Sequence, residues 1–388
     1  MTRADTAGID ARGYAQALES QLPRMLELIE ATVAIDSPSD APDGVGAVAG
    51  LIAAELAELG FTVEMQDVAG HGPQVTAHRR FGSGPDVLLL GHSDTVWPAG
   101  TAVAWPYTRT DDMITGPGVG DMKSNLVMAV AALAQFARAK SSARIGEVTV
   151  LIVPDEELGS PASREWIEAA ARRADVCLGI EPGRPGGGVV VARGAVGAVR
   201  ISAEGVSAHT TAVGGSSAIS ALAPLVHELE GLSDREAGVI VTVGTFTGGT
   251  ARQVTPDHAE MEVDLRAPSE QSADRLMAAV RSRVDAAGHA LSGGFTRPAF
   301  EPGAASRRLY DVVAAASASV GLPVHEVRER GGSDASFAGA LGIPTLDGLG
   351  PITHDSCSRD ERVEIQSLVS RGAVLARLLQ AIAEEGGQ

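Results

Sequence analysis

Val148-Thr149-Val150-Leu151-Ile152-Val153 is followed, after Pro154, by Asp155-Glu156-Glu157. Six β-type residues in a row, five of them apolar, read as a strand buried on both faces, as in a parallel sheet. The carboxyl ends of such strands are where open α/β sheets place their ligands. Three acids crowded there repel one another and lose hydration, so a cation is expected to neutralise them. A metal ion is the simplest such cation.

The flanking sequence repeats this pattern. Val87 to Leu90 is a short buried strand that ends in Gly91-His92-Ser93-Asp94, and Val176 to Ile180 is another that ends in Glu181-Pro182. Helical spacing links Val45, Val48, Ile52, Leu56 and Leu59, with Gly60 as C-cap, and Phe61 to Met65 alternates like a strand. A small-residue helix fits Ser124 to Ala139, and Ser160-Pro161 reads as the N-cap and first residue of another. Strands alternating with helices predict an α/β sheet.

The middle of the chain reads differently. Gly197 to Glu204 alternates, a helix fits about 216–232, and strands fit Val239 to Phe246 and Ala259 to Leu265. A helix over about 271–287 and a strand near Phe295 complete a β-α-β-β-α-β order, which is ferredoxin-like. From Ser306 helix and strand alternate again, ending in a helix from Ile365 to Glu384. The predicted organisation is a catalytic domain in two parts, 1–193 and 301–388, interrupted by an inserted domain over 194–300.

Composition limits the function classes. The 388 residues exceed one ordinary core, and 44% are hydrophobic with only 3% aromatic, so packing relies on small side chains. A net charge of −18 argues against nucleic acid or an anionic membrane as partner. The two cysteines, Cys177 and Cys357, form no ligand-type spacing, and Cys177 sits in an apolar run as a small hydrophobe. Met1 to Ser20 has no apolar leader segment, and no run reaches membrane-spanning length, so a cytoplasmic location is expected.

Each candidate residue alone has an ordinary reading. His92 could make one backbone hydrogen bond at a strand end, Asp94 could cap a turn, Asp121 could cap a helix, and Glu181-Pro182 could be a solvated strand exit. Their coincidence at several apolar strand ends is what those readings leave unexplained. Asp121 follows the glycine-rich Gly116-Pro117-Gly118-Val119-Gly120, which can carry a side chain close to a site. His354 follows Gly350-Pro351-Ile352-Thr353. Imidazoles with carboxylates suit zinc, and also manganese or cobalt.

His92-Ser93-Asp94, Gly118-Val119-Gly120-Asp121-Met122-Lys123, Asp155-Glu156-Glu157-Leu158-Gly159-Ser160, Glu181-Pro182 and His354 together resemble the M20 metallopeptidases. Within that family the chain is most similar to the glutamate carboxypeptidase (carboxypeptidase G2-like) branch. The resemblance spans about residues 20–380 and keeps the family's motif order. It implies a zinc-exopeptidase-like mixed sheet with an inserted ferredoxin-like dimerisation or lid domain, and a homodimer. It implies two divalent ions bridged by Asp121, one completed by His92 and Glu181, the other by Glu157 and His354. Asp94 would hold the His92 ring, Glu156 would be the general base, and His209 would donate to the oxyanion across a dimer. Arg266 would clamp a substrate carboxylate, with Gln253, Gly332 and Ser333 in binding loops.

The implied reaction is hydrolysis of an amide or peptide bond next to a free carboxylate, in a peptide or N-acyl amino acid. The rivals are an aminopeptidase or dipeptidase of the same superfamily and a non-catalytic binding protein on this scaffold. Three departures fall on substrate-facing parts. Gln253 stands where asparagine is usual, Thr210-Thr211-Ala212 after His209 is shortened, and Asp355-Ser356-Cys357-Ser358-Arg359-Asp360 lengthens the loop after His354.

Overall fold

A computed structural model describes residues 10–385. Residues 1–9 and 386–388 lie outside the described residues, including part of the N-terminal stretch read for a leader and the outer ends of the first and third expected segments. The chain divides into two compact units. The larger takes the chain up to Ala192, Pro302–Arg328, and the remainder from Ser333, and the smaller is Arg193–Glu301 with Glu329–Gly332.

The elements used below are strands β1 (Thr62–Val68), β2 (Gly72–Arg80), β3 (Val87–His92), β4 (Glu147–Val153) and β5 (Val176–Gly179). They continue with β6 (Ala195–Glu204), β7 (Ile240–Gly248), β8 (His258–Ala267), β9 (Ala290–Arg297), β10 (Thr345–Leu346), β11 (Thr353–His354) and β12 (Arg362–Glu364). The larger unit's main sheet runs β1-β2-β4-β3-β5-β10. It is mixed: β4 pairs parallel with β3 on one side and antiparallel with β2 on the other.

Residues of β3 are buried on both faces. Successive side chains on a strand point to opposite faces. Val87 and Leu89 enter one core with Val148, Val150 and Ile152, while Leu88 and Leu90 enter the opposite core with Leu151 and Val153. Burying each such side chain contributes about 1.5–3 kcal/mol, so the apolar run has a place on both sides of the sheet. The helix Ser124–Phe136 is buried along all but one of its residues. Its stretch from Leu126 to Ala134 is apolar all round, as suits an enclosed helix. Cys177 is fully buried in β5.

The smaller unit carries β6, a helix Ala218–Glu230, β7, β8, a helix Glu270–Ala287 and β9. Its sheet is antiparallel in the order β7-β8-β6-β9. Val199, Ile201, Met261, Val263 and Leu265 pack with Leu222, Leu225, Leu276 and Val280 of the two helices in a core of their own.

One local reading is corrected. Ser160 and Pro161 do not open a helix, which begins at Arg164 behind Ser163. The reason is Asp155, whose carboxylate accepts from the backbone N–H groups of Ala162 and Ser163 at 2.8 and 3.3 Å. Ser160 instead has φ 55° and donates its hydroxyl to Asp334.

Candidate metal centre

The parallel register of β3 on β4 sets His92 opposite Val153, so His92 and the acid-tipped strand end at the same level. Ile180 donates its N–H to Leu90, which brings Glu181 to the neighbouring strand end. The third contributor is the loop Val119–Lys123. Gly91 lets it approach, because a Cβ there would lie 2.9 Å from the Met122 sulphur. The same sulphur accepts the His92 N–H at 2.9 Å. Gly120 allows a second close approach, since its Cβ would lie 2.2 Å from the Thr353 side chain on β11. Both positions need glycine for space rather than for an unusual dihedral angle.

The outcome is compact. One ligand-type atom each from His92, Asp121 and Glu157 lie within 4.8 Å of one another. His92 Nε2 is 3.1 Å from Asp121 Oδ1 and 3.8 Å from Glu181 Oε1. Its Nδ1 is 2.9 Å from the Asp94 carbonyl oxygen and 3.3 Å from Asp94 Oδ1. The Asp94 carboxylate also accepts from the N–H groups of Glu156 and Glu157, at 3.2 and 3.1 Å, and from the Ser39 hydroxyl at 2.6 Å. One buried aspartate thus ties the His92 strand end to the acid tip and leaves Glu156 buried beside Glu157.

Electrostatics mark the cluster as short of positive charge. Burial, and then the charge of Asp121, push Glu157 up to about 10. Burial and the charges of Asp121 and Glu156 raise Glu181 well above its ordinary range. Burial works against the charged His92 ring, but hydrogen bonds to Asp121 and Asp94 outweigh it and raise its pKa. Burial also works against Asp121, and the hydrogen bond and charge of His92 overcome it and lower its pKa. Glu157 Oε1 is buried with no hydrogen-bond partner among the described residues. An orphaned carboxylate oxygen beside an imidazole and a second carboxylate is the donor set of a divalent cation.

The other expected residues have the following partners within their own units. His354 on β11 turns its Nε2 to Glu364 of β12, at 2.8 Å. Ser333 donates to Asp347 at 2.6 Å. In the smaller unit, exposed His209 holds Nδ1 2.8 Å from the Thr211 hydroxyl oxygen, and the Gln253 carbonyl accepts from Thr210 at 3.1 Å. Gly332 packs so closely that a Cβ would lie 2.7 Å from the Arg297 side chain. Arg266 grips Asp264 with two hydrogen bonds of 2.8 Å each.

Sequence reading passed over Ser39, Glu361 and Glu364. Glu361 is fully buried, and its carboxylate accepts from the N–H groups of Gly120 (2.7 Å), Asp121 (3.2 Å) and Cys357 (3.1 Å). Burial, and then the charge of Asp121, push Glu361 up to about 7 against those three hydrogen bonds.

Residues 88–381 match peptidase family M20/M25/M40. The chain belongs to the M20 family. It is 27% identical over 377 residues to carboxypeptidase G2 of Pseudomonas sp. (strain RS-16), covering 94% of this chain and 90% of that protein. It is 28% identical over 377 residues to a succinyl-diaminopimelate desuccinylase of Methylorubrum populi, covering 89% and 95%. The fold matches that of an M20 metallo-carboxypeptidase from Sulfolobus solfataricus with a TM-score of 0.74 at 15% identity, covering 93% of this chain and 99% of that one. As an M20 hydrolase it is metal-dependent by family, and His92, Asp121 and Glu157 offer a centre of the required kind.

Proposed function

We propose that the protein is a dinuclear metallohydrolase that cleaves an amide or peptide bond next to a free carboxylate, with Glu156 as general base. The observation that carries this reading is the convergence of His92, Asp121 and Glu157 within 4.8 Å, with buried Glu156 adjacent in the chain. His92, Asp121 and Glu181 would hold one ion, and Asp121, Glu157 and His354 the other. Zinc suits this set, as do manganese and cobalt. Two such ions would lower the pKa of an attacking water and polarise the scissile carbonyl. Glu156 takes the water's proton and delivers it to the leaving amine nitrogen. Asp94 keeps the His92 ring in place, a role that fixes tautomer and orientation.

The relatives and Arg266 support a reading of the substrate class. One relative is named for carboxypeptidase activity and another for removing a succinyl group. We place this chain with hydrolases of N-acyl amino acids or C-terminal peptide bonds. Arg266 would take the substrate carboxylate in exchange for Asp264. His209 would donate to the oxyanion, Gln253, Gly332 and Ser333 would line the substrate, and a homodimer would complete the site.

Metal analysis with a screen of N-acyl-glutamates, N-succinyl amino acids and dipeptides tests the proposal. Metal-dependent release of a free amino acid from an acylated one is expected, and cleavage confined to free-amine dipeptides would replace it with the aminopeptidase reading. Arg266→Ala is expected to raise KM for a carboxylate substrate by one to two orders of magnitude, roughly the 1.5–3 kcal/mol of a charged hydrogen bond. An unchanged KM would remove Arg266 from the site.

A further inference from the structure

We propose that Cys357 supplies a thiolate ligand to the ion held by Asp121 Oδ2 and Glu157, giving this centre a sulphur donor. The inference rests on the metal-centre reading above and deepens it.

The two oxygens of Asp121 face different donors. Oδ1 lies 3.1 Å from His92 Nε2, and Oδ2 lies 3.5 Å from Cys357 Sγ. A tetrahedral ion with Zn–S of about 2.3 Å and Zn–O of about 2.0 Å separates its sulphur and oxygen by about 3.5 Å. The thiol therefore already stands at ligand distance from a bridging carboxylate. Glu157, whose Oε1 has no partner among the described residues, and Glu361 are the other acids facing the thiol. The thiol proton passes to solvent as the sulphur–metal bond forms.

The loop is fixed for this. Cys357 has φ 60°, a conformation costly for a side-chain-bearing residue. Glu361 accepts the Cys357 N–H while holding the N–H groups of Gly120 and Asp121, so one buried carboxylate sets the cysteine and the bridging aspartate relative to each other. Two residues on, the Arg359 guanidinium lies over the rings of Trp97 and Trp105, at 5.1 and 5.4 Å from their centroids. The residue is exposed, but its sulphur is turned toward Asp121.

Cobalt loading of the full chain tests the assignment. Cobalt-loaded wild type is expected to show a near-ultraviolet sulphur-to-cobalt charge-transfer band that Cys357→Ser lacks, while visible cobalt bands persist. The second cobalt equivalent should bind more weakly in Cys357→Ser, by more than the roughly 10–100-fold that loss of a partner outside the ligand shell costs. Cys177 is fully buried, so wild-type alkylation should report Cys357 and should slow on metal loading. Two bound cobalt ions with no sulphur band, or alkylation equally fast with and without metal, would overturn the cysteine assignment and leave the metal centre standing. Failure of both wild type and variant to bind cobalt would overturn both.

Discussion

Glu156→Gln is expected to lower kcat by about 10²–10⁴-fold, the range lost when a positioned general base is removed, with two metal ions per chain retained. The separation of these two effects follows from the acid tip. Glu157 lies with His92 and Asp121, whereas Glu156 is not among the grouped ligand atoms. The amide of Glu156 still donates to Asp94, and that bond survives the side-chain change. Glutamine also keeps the volume of a largely buried position. Turnover and metal content measured on the same preparation check the result. Loss of metal together with activity would make Glu156 a ligand. Equally slow turnover of every substrate by wild type and variant would favour a binding protein on the M20 scaffold.

Asp121→Asn is expected to release both ions and to abolish turnover. Asp121 offers a ligand atom within 4.8 Å of those of His92 and Glu157, and presents one oxygen to His92 and the other to Cys357. Asparagine keeps the shape but offers one neutral oxygen and an N–H group, so it cannot bridge two cations. The same change should remove metal-dependent stabilisation. Metal that binds only the native state stabilises by about 4 kcal/mol at 1,000 times Kd. In wild type that gain would come with relief of Glu157 and Glu181, both held above their ordinary pKa range by burial and neighbouring charge. Thermal melts with and without added zinc should show a clear upward shift for wild type and little or none for Asp121→Asn. An equal shift in both would place the ions elsewhere.

The contrast between these residues and their surroundings shows what the sequence could reveal. His92, Glu157 and Glu181 were legible because unusual side chains end apolar strands, and strand ends of one sheet meet. Asp121 was legible through its glycines: Gly116 and Gly118 take positive φ, and Gly120 is needed for space, as is Gly91 on the facing strand. Glu361 and Ser39 were not legible, because each reaches its partners through loops across long sequence separations, 241 and 55 residues. No local pattern encodes such a meeting. The Asp264–Arg266 pair was legible in principle, since residues two apart on a strand share a face. The Ser160-Pro161 reading failed because Asp155, five residues earlier than Ser160, satisfies the amides that a cap would have taken.

The Trp97–Trp105 pair under Arg359 has an optical consequence. The chain has three tryptophans, and two of them meet edge to face at 5.1 Å between centroids beneath the loop that carries Cys357. Two of the three indole fluorophores therefore sit beside that loop. Its emission should respond to metal loading and to displacement of Arg359 before it responds to unfolding, giving the centre a built-in reporter that needs no added dye.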